Sequence, residues 1–560
     1  MNKAIRATLG LILVGSAVFA QNLVDARKAI DAEQYQKGKA ILKTLTSTQP
    51  TNAENYFYLG NLYLTTAPIY IRTDYIDSAK TAFDKGIAAD DEYALNYVGL
   101  GAVALAKNSS PKANFDKALE LTKRKDHITD LFIGKAYTNA PKPDIAQALV
   151  HLEKAKTLDT KDAQVFLALG DAYRSQIRNS EAFSAYRNVF DLDNSLLRSK
   201  VELGKINKMS KAYPESAADF NSVIALNANY GPAYRELAET YYLWANSETN
   251  GYEERIKQAL QFYEKYMDLT DRSLDSRLRH ADFLLLAKEF KALEAEANEM
   301  AKLDKVNHRV LRYLAYSAYE NGNYAASAQA LKDFISKVEP ARIISQDYLY
   351  LGRAQMKDTL QLTEAIVNLT KAVDMDSTNA AVMSEIGQAL YKARKYEDAA
   401  KAYEIAIKNP ERALLDYYYL GSAYYFNYGA QKTAELNPPK DLLVKADSAF
   451  SYLLQRSPTT QIAWQYRGRI NRLLDDENDS QGLAVSFYER YVNLVTVEKP
   501  ELAEKNSGGL IEAYNYLGSV AARKDGDNVK AKGYFDKVLI LDPANVTAQQ
   551  SIKAIDGGSE

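Results

Sequence analysis

The side chains able to do covalent or metal chemistry are few in this 560-residue chain, and they are dispersed. It has four histidines, His127, His151, His280 and His308, and no cysteine. No two histidines stand four apart, as a metal-binding helix would need. Without cysteine there is no disulfide, no thiol nucleophile, no cysteine-ligated metal and no lipid attachment at a new N-terminal cysteine. The nucleophile elbow, the zinc-protease pair and the phosphate-cradling glycine loop are all missing from the sequence. The expectation is therefore a protein with no catalytic residue, metal or cofactor. The abundant residue of functional interest is tyrosine, 41 copies against 17 Phe and 2 Trp. Tyrosine combines stiff apolar area with a hydroxyl, which suits binding rather than bond-breaking. A net charge of −2 with no basic stripe argues against a nucleic-acid partner.

The elements that must position these tyrosines are short amphipathic helices. The stretch Ala380–Pro410 reads as two of them with a tight turn between. Met383, Ile386, Gly387 and Leu390 share one helix face, and Ala399, Tyr403 and Ala406 share another. Similar aliphatic-small pairs recur as Leu59-Gly60, Leu100-Gly101, Ile133-Gly134, Leu169-Gly170, Leu203-Gly204, Leu351-Gly352, Leu420-Gly421 and Leu517-Gly518. The steps Gly170 to Gly204, Gly204 to Ala238, Ala281 to Ala315 and Gly387 to Gly421 are each 34 residues. This phase resembles that of the tetratricopeptide-repeat superfamily. The resemblance implies an all-α, right-handed solenoid of about fourteen helix-turn-helix units, each packed only on its neighbours.

Residues 1–20 read as a secretory signal peptide, with Lys3 and Arg6 before an apolar run and cleavage expected after Ala20. Its style is similar to that of exported Bacteroidetes-type proteins, so a periplasmic or secreted protein is expected, with no membrane insertion after cleavage. Residues 21–52 read as a degenerate capping repeat, 53–272 and 273–546 as the two halves of the array, and 547–560 as a frayed tail. Departures from the 34-residue phase place insertions near 67–75, 247–254, 427–442, 475–481 and 497–509. The one at 427–442, with Pro438-Pro439, is read as an extension of the preceding helix before a break.

In this superfamily the first helices line a concave groove that holds extended peptides or helices. Transferred to this sequence, the N-terminal half would face the groove with Asn61, Lys135, Asp171, Arg174, Lys205 and Lys208. The C-terminal half would do so with Arg312, Tyr316, Tyr319, Arg353, Tyr391, Tyr418 and Tyr425. The second set mixes the residue types that dominate interaction hot spots. The Lys/Asn/Arg carboxylate clamp of some members is not matched across consecutive units: Asn61 fits, but Ala102 and Lys135 follow it. The resemblance implies a non-enzymatic scaffold for protein or peptide partners of the cell envelope. Gripping of glycan or peptidoglycan by the same tyrosines is the alternative.

Overall fold

A computed structural model describes residues 22–66, 72–304, 307–409 and 412–557. The expected signal peptide lies outside the described residues. Among them are twenty-nine α-helices and no strand. In chain order the helices form fourteen antiparallel pairs and one closing helix. No described helix is long and apolar enough to cross a membrane.

In most pairs a small residue on the first helix meets a large one on the second. A Cβ added at Gly387 would stand 2.7 Å from the Tyr403 ring, and one added at Gly518 would stand 2.8 Å from Phe535. Tyr403 and Phe535 are about 1% exposed, so the ring fills the space that the missing side chain leaves. The turn between the two helices passes through a left-handed residue, as at Ile177 (φ 60°), Lys211 (φ 61°), Lys288 (φ 61°) and Arg394 (φ 58°). The acidic or Asn residue closing many pairs also has a local cause. Its side chain accepts the amide hydrogen two residues on, as in Asp159 to Lys161 (2.8 Å), Asp193 to Ser195 (2.9 Å) and Asp376 to Thr378 (3.0 Å). That turn starts the next pair.

The chain divides into two compact units after Asp304, one helical pair later than the 272/273 division read from the sequence. In the first unit the pairs wind until the first one meets the seventh. The turn between Leu23–Asp31 and Tyr35–Thr48 meets the start of Gly231–Ser247 and the end of Tyr252–Leu269. Arg235 Nη1 lies 2.5 Å from both Glu33 carboxylate oxygens, and Tyr266 donates to Glu33 at 2.9 Å. Tyr230 donates to Asp31 (3.0 Å), and the Gln36 amide donates to Asp271 (2.8 Å). The expectation that every repeat touches only its neighbours fails here, because charged and phenolic groups some 200 residues apart complete one another.

In the second unit the helix Leu414–Thr433 runs for 20 residues, extended by the insertion as expected, and stops before Pro438-Pro439. The insertion near 497–509 becomes a π-turn, Leu494–Glu498, and a short 3-10 turn, Pro500–Leu502. From Gln550 to Gly557 the chain is helical and not frayed. Helix Val546–Gly557 buries Ala548 and sets Ile552 and Ile555 on the last core cluster, and Lys532 pairs with Asp556 at 3.0 Å. Its apolar residues recur at helical spacing, which outweighs the terminal glycines.

Candidate functional site

The C-terminal candidates separate into two groups. Arg312 and Tyr316, on helix His308–Glu320, were expected to face a groove; both are internal. Asp347, fully buried at the start of Ser345–Gln355, is the reason. A buried carboxylate must be met by donors. Arg312 supplies two, at 2.7 and 2.9 Å, and the Tyr316 hydroxyl a third at 2.7 Å. Tyr316 is 2% exposed and stacks on Tyr350 at 4.2 Å. Burial, then the neighbouring Asp347 charge, push its hydroxyl far above the phenol range. The pair is a seam between consecutive repeats.

Tyr319 is half-buried, edge-on to Tyr350 (5.1 Å) and Tyr324 (5.2 Å). Arg353 is half-buried beside it, with no carboxylate at ion-pair distance among the described residues.

Tyr391, Tyr418 and Tyr425 converge. Tyr391 comes from Val382–Lys392, the other two from Leu414–Thr433. All three are half-buried. Tyr391 meets Tyr419 at 5.3 Å and Phe426 at 6.2 Å. Tyr418 meets Tyr419 at 5.3 Å and Tyr466 at 6.2 Å, and Tyr425 meets Tyr466 at 5.4 Å. Nearly all these contacts are edge-to-face, the arrangement ring quadrupoles favour. Tyr466 is the keystone: 6% exposed, it lies flat on Phe450 at 5.0 Å, and the Arg469 guanidinium sits 5.5 Å from its centre. Arg469 is anchored in turn by Glu512, which also accepts from Gln465 (2.9 Å) and Tyr488 (2.7 Å). Burial would raise the Glu512 carboxyl, but the Arg469 and Tyr488 hydrogen bonds outweigh it and hold it below the usual range.

Sequence reasoning missed Tyr419, Phe426, Tyr466 and Arg469. A signal was present. Tyr418/Tyr425 and Tyr419/Phe426 are each seven apart, two turns of one helix, so both pairs must form stripes. Burial, and then the Tyr418 hydroxyl, push Tyr391 up to about 12; burial raises Tyr425 while Arg469 opposes it. These two phenols are therefore uncharged at neutral pH, and offer apolar edges with hydroxyls that both donate and accept.

The N-terminal candidates behave differently. Asp171 receives Arg198 at 2.7 Å and the Tyr186 hydroxyl at 2.9 Å. Arg174 and Lys205 both pair with Glu202, at 3.1 and 2.9 Å, and Lys208 pairs with Glu236 at 2.5 Å. All but the Lys205–Glu202 pair, which lies within one helix, tie one first helix to the next. Asn61 and Lys135 stand outside the ladder. The histidines also bridge helices: His151 meets Asp130 at 2.7 Å and His127 meets Asp162 at 2.8 Å.

No family model matches the chain. A stretch of 123 residues is 24% identical to human Superkiller complex protein 3; it covers 21% of this chain and 8% of that protein. The C-terminal part of a TPR repeat-containing protein from Cytophaga hutchinsonii is 28% identical, covering 49% of this chain and 99% of that one, with a TM-score of 0.32. A tetratricopeptide repeat protein from Parabacteroides merdae is 15% identical over 45% of this chain and 93% of its own, with a TM-score of 0.30.

Proposed function

We propose that this chain, a member of the tetratricopeptide-repeat superfamily, is a non-enzymatic scaffold that docks a protein or peptide partner on the tyrosine surface of its second unit. The observation that carries the reading is the convergence of Tyr391, Tyr418 and Tyr425 around Tyr466 and Phe426. Interaction hot spots are built of such rings, held stiff by their neighbours, with a polar tip left for the partner. Each ring here is braced by others, so little side-chain freedom remains to be lost on binding. The partner belongs to the bacterial cell envelope in this reading, which rests on the leader-like composition of residues 1–20.

Crosslinking and co-purification from the native cell test this with the double variant Tyr391→Ala/Tyr425→Ala. Loss of partners is expected from a chain that circular dichroism shows still folded and helical. An unchanged partner set would overturn the site. Retention on peptidoglycan sacculi with no protein partner would replace the scaffold with the glycan-binding alternative. Tyr316→Ala serves as the structural control, since it unmakes the Asp347 seam and lowers the melting temperature instead.

A further inference from the structure

Closure of the first hairpin on the seventh pair leaves a cavity of about 730 Å³ inside the first unit. This is the size of pockets that enclose small molecules. Its wall is part apolar and part charged. Tyr58 and Phe132 stand edge-to-face at 6.5 Å, with Ile30, Leu64 and Val98 nearby.

The charged part is almost fully compensated. Arg198 is held by Asp171 and Arg235 by Glu33, while Glu202 is met by Arg174 and Lys205. Asp31 accepts from Tyr230. Two groups of the wall are left with neutral partners only, Asp31 and Lys135. The Lys135 ammonium lies 5.1 Å from the Phe132 ring centre and donates to a neutral group, Gln164 Oε1, at 3.2 Å. Among the described residues it is the cation of this wall without a carboxylate partner. Asn61, also in the wall, has no hydrogen bond from its carboxamide among the described residues. A charge enclosed this far with no carboxylate within ion-pair distance costs stability unless something supplies one.

We propose that this cavity binds a ligand bearing one carboxylate and an apolar or aromatic body, the carboxylate against Lys135 and the body along Tyr58 and Phe132. A single negative charge is specified: one ammonium outside any ion pair faces the ligand, while the carboxylates of the wall, unpaired Asp31 above all, would repel a second negative group. This site belongs to the first unit and is independent of the tyrosine surface.

The ammonium's environment gives the site a pH signature. Burial and the Arg198 guanidinium lower Lys135 to about 8, against the pull of Asp171 and Asp162 and with a further push from Arg27. His127 enters only through its hydrogen bond to Asp162. A carboxylate that needs the protonated amine binds with constant affinity below about pH 8, down to about pH 4, where its own carboxyl takes up a proton. Above about pH 8 its affinity falls by up to tenfold per pH unit, until the pKa of the complex is passed.

The test is titration calorimetry of the full chain with 3-phenylpropionate and 3-phenylpropanol, and with Gly-Gly-Phe as free acid and as amide. The acids are expected to bind at least tenfold more tightly than their neutral counterparts. Lys135→Met should abolish that difference, and Lys135→Arg should keep part of it. Thermal melting verifies that both variants fold; loss of an uncompensated charge should leave Lys135→Met as stable as the parent. Binding of the tripeptide acid alone upholds carboxylate recognition and assigns the source to a chain terminus. Absence of binding by any acid, equal binding of acid and alcohol, or an undiminished preference in Lys135→Met would each overturn the proposal.

Discussion

At the scale of single residues, the fold depends on where side chains are missing. Gly387 gives up its Cβ so that Tyr403 can lie against its backbone, whereas nothing stands within 4 Å of a Cβ added at Gly429. The two glycines therefore answer the same substitution with opposite signs. Gly387→Ala should destabilise by about 1–3 kcal/mol through overpacking. Gly429→Ala, on an exposed helical position, should stabilise by roughly 0.5–1 kcal/mol. Urea denaturation of the two variants checks the sign. The same logic explains what was legible. The glycine-to-ring contact repeats in eight of the fourteen pairs, so the phase was visible as text. The fate of Tyr316 was not, because Asp347, the group that claims it, lies 31 residues away in the next repeat. A helix surface turns from seam to groove within one or two residues, and residue type does not mark the change.

At the scale of elements, helices that obey the repeat are the frame, and those that depart from it carry the surface. Leu414–Thr433 is the longest of the described helices, and its two aromatic stripes reach the preceding and following repeats. Its extension was readable from the inserted residues; its convergence with Tyr466 depended on packing across repeats. The final helix shows the reverse error, since local spacing at Ala548, Ile552 and Ile555 outweighed a glycine-rich end. Turns between paired helices offer a direct test of strain. Ile177 is β-branched, 74% exposed and held at φ 60°. A left-handed conformation costs an L-residue about 1–2 kcal/mol. Ile177→Gly should recover part of this, raising stability by roughly 0.5–1 kcal/mol in thermal melts even though no contact is added.

At the scale of the molecule, the first unit is a closed circuit of repeats and not an open stack. Closure rests on a small set of groups: Glu33 with Arg235 and Tyr266, Asp31 with Tyr230, and Gln36 with Asp271. Hydrogen bonds to charged groups contribute about 1.5–3 kcal/mol each when partly buried. Glu33→Gln should therefore raise amide exchange by roughly 30-fold within Tyr35–Thr48, the equivalent of about 2 kcal/mol, with exchange in the second unit unchanged. Nothing in the repeat phase announces this circuit. Periodicity records what each helix needs from its neighbour and is silent on where the winding returns.

That circuit also sets a schedule for synthesis. Most repeats in such a chain can fold as soon as the next helix emerges. The first hairpin cannot finish, because Glu33 waits 202 residues for Arg235. At about 5–20 residues per second that interval is roughly 10–40 s. Throughout it the inner edge of the hairpin stays unmated, open to a chaperone or to the same edge on a neighbouring nascent chain.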